Sequence, residues 1–144
     1  MPLLVTMEFM ATLCSALFAG AAVYINVVEH PARMSCGVEA AVREWAPSYQ
    51  RASWMQAPLA AMGSICAILA WFAGSSLLWL VGGLSLGLAV PFTLVVIMPT
   101  NRRLLAGIAS NAGELAGLLD RWNRLHAVRS ALSVASLVLF LAAR

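Results

Sequence analysis

The sequence predicts an all-α protein, a transmembrane four-helix bundle with an amphipathic interfacial helix between the third and fourth spans. Hydrophobic residues make up 62% of the 144-residue chain and charged residues only 10%, a composition that soluble domains do not have. Four apolar segments each approach the roughly 20 residues that a helix needs to cross about 30 Å of hydrocarbon. The segments are residues 3–28, 52–72, 77–98 and 126–143, within a single domain of residues 1–144. They are continuous rather than alternating, which favours helices over barrel strands.

The arginines predict how the chain is oriented. An even number of spans places both termini on one side, side A, and the charged loops 29–51 and 101–125 on the other, side B. These loops hold seven arginines, and Arg129 lies one turn inside the fourth span, whereas side A has Arg144 and the amino terminus. By the positive-inside rule, side B is cytoplasmic and both termini are periplasmic in a bacterial inner membrane. Five acidic residues in the same loops keep side B from being strongly basic, so no nucleic acid is expected as a partner.

The first two spans carry local signals for packing and for a helix end. On the first span, small and polar residues from Glu8 to Asn26 share one helical face, which should turn inward because polar groups facing lipid are costly. Between the spans, Gly37 to Trp45 is a candidate short helix that Pro47 is expected to stop.

The third span contains a close-packing motif and a helix breaker. Gly83 and Gly87 form a GxxxG motif, which lets a neighbouring helix approach closely. Pro91 lies inside this span and is expected to kink it in the half nearer side B.

The loop before the fourth span has helical periodicity. Its apolar residues recur at spacings of three and four, which predicts an amphipathic helix from Asn101 to Trp122 that lies along the interface or folds back under the bundle. These residues are Leu104, Leu105, Ile108, Ala112, Leu115, Leu118, Leu119 and Trp122. The fourth span follows directly.

Polar side chains from all four spans converge at the side-B end, where we expect the functional site. An interfacial anchor zone of Trp, Tyr and Arg is the structural alternative. The candidate catalytic residues are His126, His30 and Arg129, and the candidate substrate-binding residues are Asn26, Glu29, Asn101, Arg102, Trp122, Tyr49 and Arg51. Because an arginine inside a span is too costly to leave unpaired, we also expect a contact between Glu29 and Arg129, direct or through one water.

No cofactor is predicted, although one metal site is conceivable. His30, His126 and Glu29 would supply the two-histidine, one-carboxylate set that non-haem iron uses. These residues come from two separate elements and include no histidine pair one helical turn apart, which argues against that site.

Four strings coincide with these polar positions and resemble the anthrone oxygenase-like family of small four-span membrane proteins. The strings are FAGAAVYINVVEHPAR from Phe18, WAPSYQRASWMQAPLA from Trp45, PTNRRL from Pro99 and WNRLHAVR from Trp122. The resemblance covers almost the whole chain. It implies a four-span fold and, from fungal members of the family, oxidation of anthrones to anthraquinones with molecular oxygen. Most bacterial members have no assigned activity.

The resemblance and the polar cluster together suggest an oxygenase-like membrane protein with a lipophilic anthrone-like or phenolic substrate and a site at the cytoplasmic end of the bundle. Without a cofactor, a neutral His126 or His30 would act as base, and Arg129 and Asn101 would hold an enolate oxygen. The alternative is a non-catalytic membrane subunit or lipophile-binding protein. Expected partners are the lipid bilayer and a lipophilic small molecule, and a homo-oligomer or a membrane partner subunit remains open.

Overall fold

Four long helices, each apolar and long enough to cross a membrane, make up the bundle in the computed structural model, which describes residues 2–107 and 111–143. They are Pro2–Ser35, Val38–Phe72, Leu77–Leu105 and Ala112–Ala142, named here the first to fourth helix. The chain is therefore an integral membrane protein with the predicted all-α bundle. A helix of 35 residues, such as the second, is about 52 Å long. The helices therefore extend well beyond the apolar segments.

Each helix packs against two others around the bundle. The first and the third both contact the second and the fourth. Successive helices are antiparallel, so the turn at residues 36–37, the end of the third helix at Leu105 and the start of the fourth at Ala112 lie at one end, named here the polar end. A Cβ on Gly83 would lie 2.9 Å from the Ala67 Cβ, and one on Gly87 would lie 2.6 Å from the Ser64 Oγ. The predicted close packing at the GxxxG motif is therefore confirmed, and the second helix is its partner.

Two wide π-helical turns interrupt the first and third helices near the polar end. They are Ile25–Glu29 and Thr93–Ile97, and each is followed two residues later by a proline, Pro31 or Pro99. A proline ring clashes with the carbonyl four residues earlier, and a wider turn relieves that clash. The sequence predicted a kink at Pro91, but the α-helix continues through Pro91 to Phe92. The irregular geometry begins only at Thr93, in the π turn.

Two sequence predictions about the connecting segments differ from the structure. Pro47 does not stop a helix, because the second helix runs unbroken from Val38 through Pro47 and Pro58. An internal proline costs about 3 kcal/mol. Complete burial of Ala41 and Trp45 on the same segment offsets that cost.

The segment predicted as one amphipathic helix is divided between the third and fourth helices. The third ends at Leu105, Gly107 has a positive φ of 64°, and Asn111 caps the fourth by accepting a hydrogen bond from the backbone of Glu114. Ile108 lies outside the described residues. Four apolar residues of the segment, Leu104, Leu118, Leu119 and Trp122, pack into the core, so its apolar face folds under the bundle.

Candidate functional site

Buried polar atoms without a protein partner concentrate from the middle of the bundle to its polar end. Within residues 2–107 and 111–143 they are His30 Nδ1, Arg33 Nη1, Trp45 Nε1, Gln56 Nε2, Asn101 Nδ2 and Oδ1, and Arg129 Nε. Buried polar groups in proteins nearly always have a partner, and an unpartnered one calls for a specific explanation such as a bound water or ligand. Several such atoms in one region therefore indicate a place that holds water or a ligand.

His126 is held by an asparagine from the opposite side of the bundle. Asn26, in the π turn of the first helix, donates from Nδ2 to the Asn123 backbone oxygen at 2.9 Å and to the Asn123 Oδ1 at 2.7 Å. Its Oδ1 accepts from the Ser130 hydroxyl and lies 3.0 Å from His126 Nδ1. In a neutral ring, this arrangement places the proton on Nδ1 and leaves Nε2 as the acceptor.

Trp122 is the centre of the aromatic packing around that histidine. The His126 ring stacks on it at a centroid distance of 4.9 Å, and the Trp45 ring meets it edge-on at 5.7 Å. The His30 ring lies 6.3 Å away and the Arg33 guanidinium 5.9 Å away. Cations favour the face of an indole ring, so Trp122 also helps to hold Arg33 in the interior.

Two adjoining spaces lie beside this cluster. One is an apolar cavity of about 150 Å³ among the first three helices, with Arg129 from the fourth in its wall. Its lining includes Phe18, Tyr49, Ala60, Ala89, Thr93 and Met98. The other is a void of about 10 Å³ lined by Ser48, Gln56, Trp122 and His126, among others. Tyr49, Ser53 and Arg129 line both spaces and so form the wall that the apolar cavity shares with the void beside the histidine.

Arg129 is held by an amide and an aromatic ring. Its Nη2 donates to Gln56 Oε1 at 2.9 Å, and its guanidinium carbon lies 5.3 Å from the Phe18 ring centroid. A direct contact with Glu29, as predicted, is not made. Glu29 instead accepts hydrogen bonds from Arg33, one turn away on the same helix, and from Ser48. A partner at i, i+4 needs no rearrangement between helices, which explains the preference for Arg33.

The remaining candidates lie around this centre or away from it. Tyr49 stacks on Trp45 at 5.1 Å. Glu29 and Arg51 line an open groove between the first and second helices, which Gln56 also lines. The structure therefore brings Asn26, Trp122, Tyr49, His126 and Arg129 together and sets Glu29 and Arg51 in the neighbouring groove.

The last three candidates line neither the two spaces nor the groove. His30 is buried, with its Nε2 3.8 Å from Asp120 Oδ1. Asn101 is fully buried in the third helix, and Arg102 is exposed. The histidines and Glu29 do not form a metal-binding group, since no three His, Cys, Asp or Glu side chains come together in the described residues.

The candidate residues chosen from the sequence left out four polar residues of the site: Ser48, Gln56, Asn123 and Ser130. Asn123 precedes His126 by three residues and Ser130 follows it by four, so helical spacing alone places both on the face of the histidine. Gln56 and Ser48 carried no comparable signal, because their segment shows no clear polar face.

Comparisons with known proteins agree with the resemblance seen in the motifs. A family model described as anthrone oxygenase matches residues 45–139, which include His126 and Arg129 but not Asn26, Glu29 or His30. The anthrone oxygenase tpcL of Aspergillus fumigatus is 43% identical over 61 residues. This match covers 40% of the present chain and 38% of the fungal protein, well under two thirds of that relative. No solved structure matches the chain.

Proposed function

The chain belongs to the anthrone oxygenase family, and from this we propose that it is a membrane-embedded oxygenase acting on a lipophilic aromatic molecule with an activated C–H bond. The observation that carries the proposal is the position of Arg129. Its guanidinium lines both the apolar cavity and the void that contains His126. An apolar substrate in the cavity and a base in the adjoining void would thereby lie on either side of one fixed cation.

The cavity suits an aromatic ring with an oxygen substituent. A dry cavity of about 150 Å³ holds a molecule the size of benzene, so the cavity takes one ring of a flat substrate. The rim residues Ala57 and Leu94 are exposed on the lipid-facing surface of the second and third helices. The other rings of a tricyclic anthrone would extend through this opening towards the bilayer, from which such a substrate enters.

The proposed chemistry begins with removal of a proton from the activated carbon by His126 Nε2. The electron pair moves into the substrate's conjugated system, and the negative charge that develops on its oxygen is stabilised by Arg129, a fixed donor in a water-poor site. Dioxygen, which dissolves readily in the bilayer, adds to the carbanion to give a peroxide anion, which takes up one proton to become the hydroperoxide. Loss of water from the peroxide gives the ketone, so that one CH₂ group and one O₂ yield one C=O group and one H₂O.

Two observations favour the enzyme over a non-catalytic membrane subunit. The apolar face of residues 101–122, which would have docked a partner, supplies Leu104, Leu118, Leu119 and Trp122 to the core. The polar groups of the site also border a formed apolar cavity. A lipophile-binding protein would share that cavity but would not need a histidine with an acceptor nitrogen beside it.

We place the polar end in the cytoplasm of a bacterial inner membrane, with both termini outside. The support is the excess of arginines in the two loops at that end. A cysteine introduced at the exposed Glu39 should react with a membrane-impermeant maleimide only after the membrane is opened. Labelling of Glu39→Cys in intact cells would overturn the orientation.

The function is tested with purified protein in lipid nanodiscs supplied with anthrone and air. We expect anthraquinone to form above the uncatalysed rate, with one O₂ consumed for each molecule produced. An uncatalysed rate at every protein concentration, together with tight binding of anthrone, would replace the oxygenase with a lipophile-binding protein.

A further inference from the structure

The void beside His126 has the size and the lining of a site for one water molecule. Its volume of about 10 Å³ corresponds to a single water-sized sphere, near the smallest space that holds a water. A buried water also needs two to four polar partners. The wall supplies Ser48, Gln56, His126 and Arg129, and Gln56 Nε2 and Arg129 Nε have no protein partner.

Ser48 connects this void to the outside of the bundle. Its side chain lines both the void and the open groove between the first and second helices. Its hydroxyl donates a hydrogen bond to Glu29, whose side chain is 24% exposed and lines the same groove. Arg33 bridges Glu29 and Glu44 and so fixes the Glu29 carboxylate at the end of this path.

We propose that the buried water, Ser48 and Glu29 form a proton relay that exchanges the proton on His126 with the aqueous groove, so that the proton taken from the substrate leaves by this path and the proton that the peroxide needs to lose water returns by it. The proposal rests on the proposed function, in which His126 takes a proton from the substrate. The imidazolium gives its Nε2 proton to the water, which passes a proton to the Ser48 oxygen as the Ser48 hydroxyl proton moves to Glu29. Glu29 then releases its proton to groove water, and rotation of the hydroxyl resets the relay without net bond change.

The other route from His126 runs past an indole ring. His30 is the second buried histidine, and it reaches the surface through Asp120 at 3.8 Å. The side chain in ring contact with both histidines is Trp122, whose carbon face cannot pass a proton. On the Ser48 route, by contrast, each side chain carries a group that can accept and donate a proton.

Deuterium exchange into anthrone in the absence of oxygen tests the relay in the full-length protein. With oxygen excluded, the substrate carbon is deprotonated and reprotonated, and deuterium from D₂O appears there only if the proton on His126 exchanges with solvent. The variants are Ser48→Ala, Ser48→Thr, which keeps the hydroxyl, and Glu29→Gln. The matched control is Ser35→Ala, because the Ser35 hydroxyl is exposed and bonds only its own helix turn.

We expect Ser48→Ala and Glu29→Gln to incorporate deuterium about tenfold more slowly or worse, since a positioned proton-transfer group commonly contributes about a factor of 100 or more. Ser48→Thr and Ser35→Ala should exchange at the wild-type rate, and the anthrone affinity of Ser48→Ala should stay within about twofold. That last readout separates a relay from a merely structural hydroxyl.

Wild-type exchange in Ser48→Ala, with exchange abolished in His126→Asn, would overturn the relay and leave the proposed function standing. Exchange at the buffer rate in the wild-type protein would overturn both. Should Glu29→Gln fail to fold because it disturbs Arg33, the Ser48→Ala and Ser48→Thr pair decides the outcome alone.

Discussion

Asn26 Oδ1 lies 3.0 Å from His126 Nδ1 and joins the π turn of the first helix to the middle of the fourth. The same amide donates to both oxygens of Asn123 that face it and accepts from Ser130. One side chain thus satisfies three residues of the fourth helix and sets which ring nitrogen of His126 is free. The packing of the first helix against the fourth and the orientation of the proposed base therefore both depend on this amide.

Replacing Asn26 by Ala should destabilise the protein by about 1–3 kcal/mol, because buried groups of Asn123, His126 and Ser130 lose their partner. Thermal unfolding in mild detergent measures the change. Thr6→Ala on the same helix is the control, since the exposed Thr6 hydroxyl bonds only the carbonyl of Pro2. An Asn26→Ala midpoint equal to that of the wild type would show that water replaces the amide at no cost.

Replacing Arg129 by Met should lower kcat/KM for anthrone by a factor of about 100 to 1,000, the usual loss when one donor to a developing oxyanion is removed. Methionine keeps much of the length and the packing against Phe18 while removing the charge. The control is Arg43→Met, because Arg43 is exposed at the polar end and is not a candidate site residue. Equal losses in both variants would point to a general effect of surface charge rather than to the cavity.

More of the fold than of the site could be predicted from the sequence. The spans were predicted from the length and the unbroken apolar character of four segments, because the thickness and the apolar interior of the bilayer require both properties. The rotation of each helix was harder to predict, and the site depends on it. Residues 52–72 are apolar almost throughout, so nothing in the pattern indicated that Gln56 faces inward to meet Arg129. Glu29 was assigned to Arg129 because both lie near one level, whereas the local partner Arg33 was available one turn away.

The two π turns did leave a signal in the sequence. Val27 and Val28 precede Pro31 with the same spacing as Val95 and Val96 precede Pro99, and both valine pairs are exposed towards lipid. The two helical hairpins thus share a local pattern at equivalent places. The first copy carries Asn26 and Glu29, and the second has Leu94 and Ile97 instead. Of the two π turns, therefore, the first carries the polar side chains and the second carries apolar ones at the equivalent positions.

Replacing Ala57 by Phe should close the proposed opening between the second and third helices. Ala57 lines the apolar cavity and is exposed at its rim, so a larger side chain has room outside the core. We expect anthrone affinity to fall about tenfold, or about 1.4 kcal/mol, in a binding assay with nanodiscs. Val95→Phe, on the third helix but outside the cavity lining, is the control. Undiminished binding by Ala57→Phe would mean that the substrate enters elsewhere.

Replacing His126 by Asn or by Gln separates the two nitrogens of the ring. An asparagine amide can donate to Asn26 where Nδ1 did, but it has no group at the place of Nε2. We therefore expect His126→Asn to fold with a thermal midpoint close to that of the wild type and to lose activity by a factor of about 100 to 10,000, the usual contribution of a general base. His126→Gln reaches towards the void with an amide, which cannot act as a base either, and should be as inactive while losing the Asn26 bond. Both variants should still bind anthrone, because the base acts on the transition state rather than on the bound substrate. If His126→Asn instead keeps its activity per folded molecule, the histidine is a structural link between Asn26 and Trp122, and another group must take the proton.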